Sequence, residues 1–88
     1  MKIHQLRDVI AVADKGSLRA ASRYLNVSQS AMTKSIQSLE KELGVQLLYR
    51  STRHVALTDP GLRFLDACRR MVESAENALA GLREDELS

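Results

Sequence analysis

Along most of the chain apolar residues recur three and four positions apart, the spacing of one buried helix face. Ile3, Leu6, Val9, Ile10 and Ala13 predict a first helix over 4–14, and the run DKGS ends it with Gly16 at the C-cap. Leu18, Ala21 and Leu25 predict a short second helix over 18–25. Ser17 is its N-cap, and Asn26, which tolerates the left-handed conformation, stops it. Met32, Ile36, Leu39 and Leu43 make the buried stripe of a third helix over 29–43, capped by Ser28 and ended by Gly44. The pattern then changes. In VQLLYRSTRHVALT, β-branched and aromatic residues flank a basic STR, which predicts two strands near 47–50 and 54–57 joined by a tight turn. Thr58 caps a last helix with Asp59 and Pro60 in its first turn. It is expected to run to about Leu82, roughly 36 Å at 1.5 Å per residue, with the closing REDELS as a frayed tail.

Composition narrows the class. Eighty-eight residues, 44% hydrophobic and 27% charged, suffice for one small domain and a modest core. No apolar run approaches the roughly 20 residues of a membrane span, and MKIHQLRD lacks an apolar signal core, so a cytoplasmic protein is expected. Cys68 is the single cysteine and the two histidines lie far apart, which leaves neither a disulfide framework nor zinc-ligand spacing. No metal and no cofactor are expected.

The net charge of +2 matters less than its distribution. Residues 1–58 carry nine Lys/Arg against four Asp/Glu, and residues 59–88 carry four against seven. Lys15, Arg19, Arg23 and Lys34 fall in a stretch with no acid between Lys15 and Leu39, and Arg50 and Arg53 lie in a second acid-free stretch. Such patches suit a polyanion; a solvated basic face is the plainer alternative.

Two short helices joined by three residues, the second amphipathic, follow the helix-turn-helix plan in which the second helix enters a DNA major groove. The whole is expected to be mainly α: a winged helix-turn-helix of three helices and a two-stranded wing over 1–58, then a long linker helix over 59–88. The starts SLRA and SQSA hold no acid in their first turns, although the helix dipole favours one there. Phosphates can then accept N–H groups beside Ser17, Arg19 and Ser28, while ordinary serine capping accounts for the two serines equally well. Gln29, Ser30, Thr33, Lys34 and Gln37 share the exposed face of the third helix. Gln suits adenine, Lys reaches guanine or phosphate, and Thr33 or Ala31 can touch a thymine methyl. Glu40 and Glu42 come only near the far end of that helix, where a groove should have curved away. Arg50 and Arg53 suit phosphates or a minor groove, unless one pairs with an acid of its own domain. His4 and His54 read as surface or packing residues rather than ligands, and Tyr24 and Tyr49 as packing residues with their hydroxyls turned outward.

On the last helix Leu65, Cys68, Val72, Ala75, Leu79 and Leu82 repeat at the spacing of a two-helix seam, and Leu62 and Phe64 can pack back on the body. A helix this long cannot bury its whole stripe on a small body, so a homodimer on a roughly palindromic DNA site is expected. Cys68 reads as a small buried hydrophobe; an intermolecular disulfide is the alternative.

From LRDVIAVADKG through VSQSA, LEKELG, LLYR, Arg53 and LTDPG, the chain resembles the amino-terminal domain of the LysR-type bacterial transcriptional regulators. The resemblance covers nearly the whole chain. It implies a winged helix-turn-helix followed by a linker helix that dimerises, usually antiparallel to its partner. It also implies base or phosphate contacts from Gln29, Ser30, Thr33, Lys34, Arg50 and Arg53. Ser30 stands where that family commonly has proline, Lys34 where arginine is frequent, and Pro60 where alanine is common. Family members continue into a larger two-lobed domain, so the chain reads as a fragment or a stand-alone binding module. A small-molecule effector would bind only in such a further domain, and a tetramer would form only in a full-length protein.

Double-stranded DNA is thus the expected partner, for transcriptional control without catalysis. The competing reading is a winged-helix protein-interaction module whose basic face is merely solvated. An enzyme fits least, because Cys68, His4 and His54 are scattered and no paired carboxylates accompany a pocket.

Overall fold

The computed structural model describes residues 1–50 and 55–87, and side chains over that range except at 50 and 84–87. Four helices and a two-stranded sheet follow in the order α1 (Ile3–Lys15), α2 (Leu18–Leu25), α3 (Gln29–Leu43), β1 (Leu48–Arg50), β2 (Val55–Leu57) and α4 (Asp59–Leu87). The helix ends are set by local chemistry. The Gln5 side chain accepts the Lys2 N–H at 2.8 Å to open α1. Ser17 and Ser28 hydroxyls accept the N–H groups of Ala20 and Ala31, each at 3.0 Å, as N-caps of α2 and α3. Gly16, Asn26 and Gly44 take left-handed φ values of 77°, 58° and 73° and turn the chain out of α1, α2 and α3.

β1 and β2 are antiparallel, with Leu48 opposite Leu57, Tyr49 opposite Ala56 and Arg50 opposite Val55. β1 begins one residue later than the hydrophobic pattern suggests. Arg53, His54 and the expected tight turn lie outside the described residues, as does the side chain of Arg50. α4 reaches Leu87, past the Leu82 expected as its end. The reason is in the sequence: after Leu82 come Arg, Glu, Asp and Glu, with no glycine or proline to stop the helix.

The core sits where α1 meets the other three helices. Val9, Met32, Ile36, Leu39, Leu47, Leu48 and Cys68 are all fully buried, each side chain of the larger kind worth about 1.5–3 kcal/mol of transfer free energy. The route from α3 to α4 is gripped from both sides. Glu40 accepts the Leu47 N–H at 2.7 Å and the Leu48 N–H at 3.2 Å through one carboxylate oxygen. Across from it, the Thr58 N–H donates to the Leu47 carbonyl at 2.9 Å, and the Thr58 hydroxyl donates to the Gln46 carbonyl and accepts the Gly61 N–H. Gly61 lies so close that a Cβ there would stand 2.2 Å from the Leu47 carbonyl oxygen.

The stripe expected to form a dimer seam divides in two. Cys68 and Val72 are buried in their own chain's core and Leu65 packs half-buried beside them. Ala75 is half-buried, whereas Leu79 and Leu82 are 53% and 62% exposed, beyond the reach of the body. The physical reason is the antiparallel packing of α1 on α4, which covers about two helical turns around Cys68 and Val72. Phe64 packs back on the core as expected, but Leu62 remains largely exposed. Tyr24 and Tyr49 are also exposed rather than packed, with the Lys15 ammonium 4.2 Å above the Tyr24 ring.

Candidate nucleic-acid interface

α2 and α3 meet across the three residues between Leu25 and Gln29, and α3 buries Met32, Ile36 and Leu39 against the core. Its opposite face is therefore fixed outward. Ser28, Gln29, Ser30, Ala31, Lys34 and Gln37 are all exposed, and Thr33 is half-buried at the edge of the same face. The small residues cluster in the first turn. A neighbouring molecule can thus approach the α3 backbone there, where the opening N–H groups have no intrahelical acceptor. The Ser28 hydroxyl takes the Ala31 N–H and its carbonyl the Met32 N–H.

α2 adds a second set of contacts. Arg19 is exposed in its first turn, and Ser17 is half-buried with its oxygen engaged as the cap. Lys15, Arg19 and Arg23 border a shallow hollow floored by Ala20 and Tyr24, so positive charge surrounds the α2 start as well. Capping and phosphate binding are compatible at both serines, because a capping hydroxyl accepts one N–H and keeps its own proton to donate.

Arg50 enters at β1, whose root is tied to the end of α3 by Glu40. Glu40 is thus a structural acceptor rather than an acid merely kept clear of a groove. Its position four residues after Ile36 is the signal for this in the sequence, because that spacing returns to the edge of the buried stripe. Asp8 carries no such signal. It is buried between α1 and α3 near His4 and Ser35, and burial pushes its carboxyl above the usual range against the opposing pull of the Ser35 hydroxyl and His4. Beside it the Gln5 amide donates to the Ser35 carbonyl at 3.4 Å.

Among the described residues no group of His, Cys, Asp or Glu gathers to hold a metal ion, and no helix is long and apolar enough to cross a membrane. What the geometry offers is an exposed, acid-free helix face beside a two-stranded hairpin: a winged helix-turn-helix.

Comparison with known proteins agrees. Residues 3–62 match the family described as bacterial regulatory helix-turn-helix protein, lysR family, and the chain belongs to that family. It is 46% identical over 76 residues to the HTH-type transcriptional regulator ClcR of Pseudomonas putida, covering 86% of this chain and 26% of that protein. It is 47% identical over 73 residues to TfdS of Cupriavidus pinatubonensis, covering 83% and 25% respectively. The chain therefore spans about a quarter of the length of these curated relatives. Among solved structures, the CbnR_DBD–DNA complex superposes with a TM-score of 0.90 at 42% identity, covering 98% of this chain and 99% of that one. The BenM_DBD/benA site 1 DNA complex gives 0.89 at 29% identity, covering 98% and 97%. The family is one of regulatory proteins, not of enzymes.

Proposed function

We propose that this chain binds double-stranded DNA sequence-specifically, as a homodimer on a roughly palindromic site, and so controls bacterial transcription in the cytoplasm. Residues 1–58 form the DNA-reading unit, and residues 59–88 the linker helix that joins two copies. The observation that carries this reading is the outward face of α3, where Gln29, Ser30, Ala31, Lys34 and Gln37 are exposed with no acid among them. Thr33 completes the face. Base edges meet these side chains, while phosphates meet Arg19, the N-termini beside Ser17 and Ser28, and the wing residues Arg50 and Arg53.

The likeness to DNA-bound CbnR and BenM domains supports the same reading. In a longer protein, a small-molecule effector and any tetramer contact belong to the remainder of the chain. The test is fluorescence anisotropy on duplexes selected from random DNA, repeated across a salt series. A selected palindrome should bind at least a hundredfold tighter than a scrambled duplex, with affinity falling steeply as salt rises. Equal affinity for both duplexes removes the specificity claim, and no binding at low salt favours a protein-interaction module.

A further inference from the structure

Behind the exposed face of α3, its contact with α1 holds three polar residues. Gln5 and Asp8 stand three apart on α1, on one face of that helix, and both are buried. That face meets Ser35 of α3. The Gln5 amide oxygen accepts the Lys2 N–H at 2.8 Å and its nitrogen donates to the Ser35 carbonyl at 3.4 Å, so one side chain joins the start of α1 to the middle of α3. The Ser35 hydroxyl is buried beside the Asp8 carboxyl, near enough to pull its pKa down, yet it lacks full hydrogen-bond geometry to any described residue.

Such groups lower the stability of a small core. Burial disfavours the charged form of Asp8, and the Ser35 hydroxyl leaves hydrogen-bonding capacity unused. Apolar residues of similar size would pack the same contact more favourably. What they would not supply is direction. Met32, Ile36 and Leu39 are held by apolar burial, which is indifferent to angle, whereas polar contacts weaken steeply when misaligned.

Direction matters at this place on the helix. Ser35 lies about 160° around α3 from Gln37 at 3.6 residues per turn, behind the exposed face. A roll of about 10° carries a side-chain tip about 5–6 Å from the helix axis by roughly 1 Å. That is enough to lose a hydrogen bond to a base edge.

We propose that Asp8 and Gln5 are positioning residues for DNA reading: from α1 they hold Ser35, fix the roll of α3 and so aim Lys34 and Gln37 at base edges. This inference rests on the DNA-reading function above and adds the groups behind the helix that set its accuracy. The test pairs binding isotherms with urea unfolding at pH 7 for the native chain, Asp8→Ala/Ser35→Ala and Asp8→Asn. The double variant removes the buried charge and the buried hydroxyl, so its urea midpoint should equal or exceed the native one. Its preference for the selected over the scrambled duplex should nonetheless fall about tenfold, while its affinity for the scrambled duplex and its salt slope there stay native. Asp8→Asn, which keeps a polar group against Ser35, should retain the native preference. Native preference in the double variant overturns the inference and leaves DNA reading standing. So does a loss of stability with equal loss on both duplexes, which would make the contact structural alone. A native chain that binds both duplexes equally removes both.

Discussion

Asp14 on α1 and Arg69 on α4 form a two-pronged ion pair, at 2.6 Å from Nη2 to Oδ1 and 3.3 Å from Nη1 to Oδ2. Arg7 and Glu76 approach to 3.7 Å two turns away, so residues seven apart on each helix tie α1 and α4 in antiparallel register. The guanidinium hydrogen bonds hold the Asp14 carboxyl below its ordinary range. Its contribution is therefore full above the usual value of 3.8 and is lost as pH falls through the lowered one. Both side chains are about half-exposed, at 47%, so solvent screens the pair. A double-mutant cycle of Asp14→Asn and Arg69→Gln should give a coupling of about 0.5–1 kcal/mol that shrinks in high salt. The seat of α4 depends far more on Cys68 and Val72.

The start of α4 permits little change. Gly61 is buried against the Leu47 carbonyl, and a methyl group there would meet backbone atoms rather than a movable side chain. Gly61→Ala should destabilise the fold by about 1–3 kcal/mol, read from the midpoint of denaturant unfolding. Gly81→Ala is the control, because a Cβ at Gly81 meets open space, and removing a mid-helix glycine should stabilise by up to about 1 kcal/mol.

Local chemistry explains which features the sequence disclosed. Ser17, Ser28, Gly16, Asn26 and Gly44 act within a few residues of themselves, so each helix boundary near them is readable without the fold. The exposed face of α3 follows from its buried stripe, because fixing Met32, Ile36 and Leu39 inward fixes Gln29, Lys34 and Gln37 outward. The α4 seam is different. Leu65, Cys68 and Val72 have heptad spacing whether they face a second copy or α1, and only the tertiary packing decides between them. Asp8 escapes for a related reason: a carboxylate gives no local sign that it will be buried between α1 and α3, whereas the spacing of Glu40 after Ile36 marks its place at the edge of the buried stripe but not the N–H groups it accepts.

Asp8 has a measurable pH signature. Because burial raises its carboxyl pKa, the folded state is favoured while that group is neutral, and stability falls as pH rises through the raised value. At pH 7 the buried charge is a net penalty. Asp8→Asn should accordingly be more stable than the native chain at pH 7, and the advantage should vanish below about pH 4. Urea unfolding of both proteins at these two pH values checks the sign; a pH-independent difference would assign the effect to packing instead.

The Cys68 thiol should be inert in the folded protein. Burial pushes its pKa up to about 11, so almost no thiolate exists at pH 8, and no sulfur surface is open to a reagent. Labelling with a thiol-reactive disulfide reagent should be at least a hundredfold slower in native buffer than in denaturant. Rapid native labelling would show that α4 lifts from α1 on the timescale of the reaction.

Lys34 and Arg19 should separate sequence reading from backbone positioning. Lys34 projects from the second turn of α3, five residues past its start, whereas Arg19 projects from the first turn of α2 beside a basic hollow. If α3 enters the groove, Lys34 reaches base edges and Arg19 reaches a phosphate. Lys34→Ala should then cost about 1–3 kcal/mol on the selected duplex and relax preference at one base position per half-site. Arg19→Ala should weaken selected and scrambled duplexes alike, and the slope of log affinity against log salt should become shallower by about 0.9 for each phosphate left without its arginine. Binding isotherms for both variants on both duplexes, at three or more salt concentrations, make the comparison. A uniform loss for Lys34→Ala with a shallower salt slope would place that side chain on the phosphate backbone, leaving base reading to Gln29, Thr33 and Gln37.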